Sequence, residues 1–233
     1  MTVSGCSVKG TSEVLLSTAT VLIKNKYGEF IQARALLDSG SQSNFISQEL
    51  SDQLSVNKFK INPIPVSGIS QVETNVNYRT NCQIKSQFNG YQLNASFLVL
   101  DKITQKLPLS QICTSSLDIP NTIKLADKNF GTPIKIDLLI GTTIFWDLLC
   151  VGQIKLGDGK LILQKTKLGW IIAGEVLGTV NQNENRGTVC NFSAGISYNN
   201  NWKNFGNWRK TYQMKFFWEI NHQLKTLNVK NYF

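Results

Sequence analysis

Ala35-Leu36-Leu37-Asp38-Ser39-Gly40-Ser41-Gln42-Ser43-Asn44-Phe45-Ile46-Ser47 is the stretch on which the reading of this chain turns. A short apolar strand delivers an aspartate into a tight Ser-Gly turn, and a second apolar run begins at Phe45. A carboxylate held among backbone N–H groups, with a hydroxyl beside it, is well placed to activate water. One carboxylate does not suffice for that chemistry at an amide. Two must share a proton, because like charges so close cannot both ionise, and one then acts as base while the other donates. Asp-Ser-Gly occurs once in the 233 residues, so the second carboxyl has to come from another copy of the chain or from elsewhere in this one.

Working outward, the period is mostly two, which predicts a mainly β core. The runs from Val14 to Ile23 and from Phe30 to Leu37 flank the polar segment Lys24-Asn25-Lys26-Tyr27-Gly28 and predict a hairpin. Val76–Phe88 and Tyr91–Leu100 flank Asn89-Gly90, the dipeptide suited to the two positive-φ positions of a type I′ turn. Cys150–Leu156 and Lys160–Gln164 flank Gly157-Asp158-Gly159 and predict a third hairpin. Helical signals are short. Ser47 can cap a turn or two carrying Ile46, Leu50 and Leu54 on one face, and Thr142 or Thr143 can start another through Leu149. No long amphipathic helix alternates with the strands, which disfavours a parallel α/β fold.

Four further stretches follow in order. They are Val66-Ser67-Gly68-Ile69-Ser70, Ile136-Asp137-Leu138-Leu139-Ile140-Gly141 with Phe145-Trp146 behind it, Gln164-Lys165-Thr166-Lys167-Leu168-Gly169-Trp170-Ile171-Ile172-Ala173-Gly174, and Phe216-Phe217-Trp218-Glu219-Ile220. With the Asp38 stretch they resemble the retropepsin-like aspartic protease region of BEL/Pao-type LTR retrotransposon Pol polyproteins, over most of residues 13–220. The resemblance implies a closed β-barrel, an acid-protease half with short helices. It divides the chain into an N-terminal segment (1–12), a protease domain (13–180) and a less ordered tail (181–233) that looks like the connector to a reverse transcriptase.

The same resemblance implies a homodimer in which each subunit gives one Asp38, with peptide or polyprotein as substrate and no cofactor or metal. Ser39 would bond across the two-fold axis and Gly40 would permit close backbone approach. Gly68, Ile69 and Ser70 would belong to a substrate-covering flap, although Ser70-Gln71 stands where a second flap glycine often occurs. Leu139, Ile140 and Gly141 would support the active-site turn. Asp137 is a second candidate for the missing carboxyl, in a monomeric enzyme; the other reading makes it a strand-end residue bonded to backbone. Asp118, Asp127, Asp147 and Asp158 sit in polar or turn-like surroundings and are expected to be solvated or capping.

The remaining composition limits the alternatives. The charge is +9 with 42% hydrophobic and 17% charged residues, which excludes a wholly disordered or fibrous chain. The five cysteines (Cys6, Cys82, Cys113, Cys150, Cys190) are scattered without C-x-x-C spacing, so a zinc site is not expected. His222 is the only histidine and reads as a solvated tail residue. No membrane-spanning run or secretory signal is visible, which points to an intracellular location, the cytoplasm or a virus-like particle. Residues 181–233 carry 7 basic and 2 acidic side chains and 11 of the 23 aromatic residues. That tail admits nucleic acid as a partner, but no RNP, KH or zinc-knuckle signature accompanies it. The alternative to an enzyme is therefore an inactive, transposon-derived β module binding peptide or, through its tail, nucleic acid.

Overall fold

The computed structural model describes residues 10–67, 73–157, 160–179 and 193–194, all within one compact unit, Met1–Ile196. The strands are β1 (Gly10–Leu15), β2 (Thr18–Lys24), β3 (Phe30–Leu37), β4 (Phe45–Ser47), β5 (Phe59–Ser67), β6 (Glu73–Lys85), β7 (Gln92–Leu100), β8 (Leu138–Ile140), β9 (Leu149–Leu156), β10 (Leu161–Thr166), β11 (Gly169–Thr179) and β12 (Ser193–Ala194). Two short helices join them, α1 (Gln48–Gln53) and α2 (Thr142–Leu148).

The larger sheet runs β12-β5-β6-β2-β3-β8-β4-β7, and β7 returns to pair with β6. Strands β6, β2, β3, β8, β4 and β7 therefore form a closed barrel, with β5 and β12 extending from the long β6. This is the mainly β, closed-barrel fold with short helices that the sequence predicts. Closure follows from the burial pattern: Ala19, Val21, Ile23, Ala33, Ala35 and Leu37 alternate inward on β2 and β3, and meet Cys82, Ile84, Phe97, Val99, Leu138 and Ile140 in one core. On the outer face Leu36, Phe45, Leu98 and Leu139 join Val66, Val76, Ile103 and Ile136 in a second cluster.

The smaller sheet is antiparallel, in the order β1-β11-β10-β9. Its core of Leu15, Leu156, Leu161, Leu163, Ile172 and Val176 is closed by Ile112 and Phe130 from the long connection between β7 and β8. That connection is tied to the barrel through Arg34. The guanidinium is buried against Asp127, with Nε to Oδ2 at 2.7 Å, and it also donates to the carbonyls of Leu107 and Ile134. Asp127 further accepts from the Thr18 hydroxyl at 2.7 Å and from Asn129 N–H at 2.9 Å. The expectation of a solvated or merely capping Asp127 is corrected: the cation that draws it inward lies 93 residues away on β3.

The first hairpin, β2–β3, starts only at Thr18. Val14 and Leu15 belong to β1, which pairs with β11, so the single run read from the sequence is cut at Leu16-Ser17, where the chain changes sheets. The second hairpin, β6–β7, pairs Lys85 with Gln92. Its turn is not type I′: neither Asn89 nor Gly90 takes a positive φ, and the chain closes instead through Ser86 N–H to Tyr91 O and the Asn89 side chain accepting from Tyr91 N–H. The third hairpin, β9–β10, forms in the expected place, with Asp158 and Gly159 outside the described residues. The predicted Ser47 cap is present, its hydroxyl accepting from Leu50 N–H at 3.2 Å.

Candidate active site

The strand order explains the geometry around Asp38. β8 is parallel to β3 and antiparallel to β4, so it lies between the two strands that the Asp38 turn connects. The turn must span two inter-strand spacings, about 10 Å, and pass over the end of β8. Gly141 sits beneath that crossing. A Cβ there would lie 2.5 Å from Ser43 O and 2.7 Å from Ser41 O, so no larger residue fits without moving the turn.

Hydrogen bonds pin the crossing from both sides. Asp38 N–H donates to Ile140 O at 2.9 Å, and Thr142 N–H donates to Ser41 O at 2.8 Å. The buried Asn44 accepts from Gly141 N–H at 2.9 Å, and its amide nitrogen donates to Ser96 O at 3.3 Å. Ser41, fully buried, donates its hydroxyl to Ser43 O at 2.8 Å. Sequence reading missed Asn44 and Ser41. Their roles depend on the insertion of β8 into the sheet, for which the local sequence carries no mark.

The Asp38 carboxylate stands at the end of the buried half of β3 and is partly exposed. Its Oδ1 accepts from Gly40 N–H at 2.9 Å. Its Oδ2 is buried and has no hydrogen-bond partner. Burial of a carboxylate oxygen without a donor is costly, so this atom is the least satisfied polar group among the described side chains. Ser39 and Gly40 are exposed at the tip of the turn. The Gly40 position is tight, since a Cβ there would come within 3.3 Å of Asp38 Oδ1.

Of the residues singled out in the sequence, the fold thus brings together Asp38, Ser39, Gly40, Leu139, Ile140 and Gly141. Gly68, Ile69 and Ser70 lie outside the described residues. Asp137 is elsewhere. Its Oδ2 accepts from Arg34 N–H at 3.0 Å and its backbone bonds Arg34 and Ser47, which puts it four residues along β3 from Asp38, roughly 13 Å. Lys135 stands 3.6 Å from its carboxylate, and the Glu49 hydrogen bond, helped by the charges of Asp137 and Glu49, holds the Lys135 ammonium above its usual range. Asp137 has the strand-end, backbone-bonded role that was the second of its two readings. Asp118 and Asp147 are exposed, as expected. Among the described residues, no group of three or more His, Cys, Asp or Glu side chains could hold a metal ion. No described helix is long and apolar enough to cross a membrane.

No family model matches the chain and no curated protein is similar to it. Among solved structures it is similar to the EIAV protease complexed with the inhibitor HBY-793, at 19% identity and a TM-score of 0.33, over 57% of this chain and 86% of that one.

Proposed function

We propose that this chain is an aspartic endopeptidase of the retropepsin kind, the protease region of a BEL/Pao-type Pol polyprotein, working as a homodimer with one Asp38 from each copy. The observation that carries this reading is the divided state of the Asp38 carboxylate: Oδ1 is fixed by Gly40 N–H while Oδ2 is buried with no donor in its own chain. A second Asp38 turn brought against it, with one shared proton and a water between them, would supply what Oδ2 lacks. Two exposed apolar side chains that follow Gly141 in sequence are available to a mating surface. Trp146 on α2 is 62% exposed and Val151 on β9 is 99% exposed, both just downstream of the Gly141 that underlies the turn.

In the proposed reaction one carboxylate takes a proton from water as the oxygen attacks the peptide carbonyl, and the protonated partner donates to the carbonyl oxygen. The tetrahedral intermediate then collapses with proton transfer to the leaving nitrogen. Ser39, whose hydroxyl has no partner within the described chain, would bond across the axis. Pairing two such carboxyls makes the rate bell-shaped in pH with an optimum on the acid side.

The test is cleavage of a peptide library by the purified chain and by Asp38→Asn, with pepstatin in a parallel assay. Asp38→Asn should lose at least about a hundredfold in kcat/KM while keeping the native circular dichroism. Equal turnover by the two proteins would remove the proposed chemistry.

A further inference from the structure

A concave surface lies on this molecule, built from none of the residues of the Asp38 turn. It is an open groove of about 440 Å3 lined by Phe88, Ile123, Lys124, Leu125 and Lys128. Phe88 comes from the β6–β7 connection and the other four from the connection between β7 and β8. The segment that carries the ring is held from three directions. Gln87 donates its amide to Thr20 O at 2.7 Å, Phe88 N–H donates to Ser86 Oγ at 3.2 Å, and Asn89 donates its amide to Lys167 O at 2.9 Å. Beneath it lies Gly169, with φ +112°, where a Cβ would stand 2.9 Å from the ring and 3.0 Å from Lys124 O. Glycine is therefore required both by the backbone and by the ring seated on it.

Two free ammonium groups rim this ring. Lys124 and Lys128 are exposed and have no ion-pair partner among the described residues. Asp127, between them in sequence, points inward and is neutralised by Arg34, so it does not offset them. Next along the surface Lys167 stands over the Tyr91 ring, 5.1 Å from its centroid. The exposed Asp147 opposes Lys167 on the Tyr91 side, and its charge, after the larger effect of burial, adds to the upward shift of the Tyr91 phenol. A pre-positioned aromatic face rimmed by unpaired ammonium groups fits a base stacked on the ring with its flanking phosphates on the lysines. An acidic peptide would use the lysines and leave the flat ring idle.

We infer that the Phe88–Lys124–Lys128 groove binds single-stranded nucleic acid, without sequence preference, independently of the basic C-terminal segment and of the proposed peptidase chemistry. The experiment is fluorescence anisotropy with a labelled oligouridylate of about twelve nucleotides, titrated with the full chain at several salt concentrations. Charge reversal in Lys124→Glu/Lys128→Glu should weaken binding more than tenfold and reduce the slope of log K against log salt by about 1.4, two phosphate contacts' worth. Phe88→Ala should weaken binding about tenfold with the salt slope unchanged. Phe88→Leu, which keeps apolar packing over Gly169 but loses the flat face, serves if the alanine variant does not fold. The inference is overturned if the wild type does not bind at low salt, or if the charge-reversal variant binds as the wild type does, which would assign the affinity elsewhere in the chain. Competition by oligoglutamate of equal charge at the same concentration as unlabelled oligouridylate would also overturn it, in favour of an acidic peptide.

Discussion

Asp38 is legible in the sequence because its surroundings are local: an apolar strand before it and Ser-Gly after it already state a carboxylate in a turn. Asn44 is not, although it accepts the Gly141 N–H 97 residues away, because an asparagine in a polar loop looks the same whatever it bonds. Cys82 carries a comparable hidden property. It is buried on β6, and burial pushes its thiol up to about 11, against a smaller opposing effect of the Thr80 hydrogen bond. A thiol whose pKa is raised in the folded state keeps its proton there longer than in the unfolded chain. Its contribution to stability is therefore complete below about pH 9 and is lost as pH climbs through about 11, by roughly 2 kcal/mol in all. Urea unfolding of wild type and Cys82→Ala between pH 8 and 11 should show the difference in stability between them changing by about that amount, whatever the lysines contribute to both. A difference that stays constant with pH would contradict the burial argument.

Among elements, the places of the three hairpins and the two short helices are read correctly from alternation and polar breaks, because each is specified within a dozen or so residues, whereas the type of the Asn89-Gly90 turn is not. Two features escape. The division of Val14–Ile23 between two sheets is set by partners far along the chain, β11 for one part and β3 for the other. The crossing of the Asp38 turn above β8 is likewise a consequence of sheet order, and it explains Gly141 better than the apolar motif around it does. Gly141→Ala places a methyl against two backbone oxygens at 2.5 and 2.7 Å, neither of which is the end of a flexible side chain. The expected cost is about 1–3 kcal/mol, read as a lower melting temperature. Since relief requires the turn to lift, peptide cleavage should fall by a larger factor than stability alone accounts for. An alanine variant with wild-type melting and wild-type kcat/KM would show that the crossing is looser than the distances state.

For the whole molecule, the long connection between β7 and β8 is ordered by a charge pair that no sequence pattern announces. Removing one member, in Arg34→Met or Asp127→Leu, leaves a buried uncompensated charge and should cost about 3–5 kcal/mol, whereas the double replacement should recover most of that loss. Each single variant should also be cut by protease within residues 101–135, where the wild type resists. Additive losses in the double variant would mean that the two groups are not coupled. The barrel itself has a further consequence. In a ring without a seam, each strand bearing the Asp38 turn has neighbours on both sides, so the turn cannot peel away while the rest stays native. Amide exchange at Leu36, Leu37 and Leu138–Ile140 should be as slow as the slowest in the molecule, and warming should end the proposed peptide cleavage and unravel the chain within the same narrow interval of temperature.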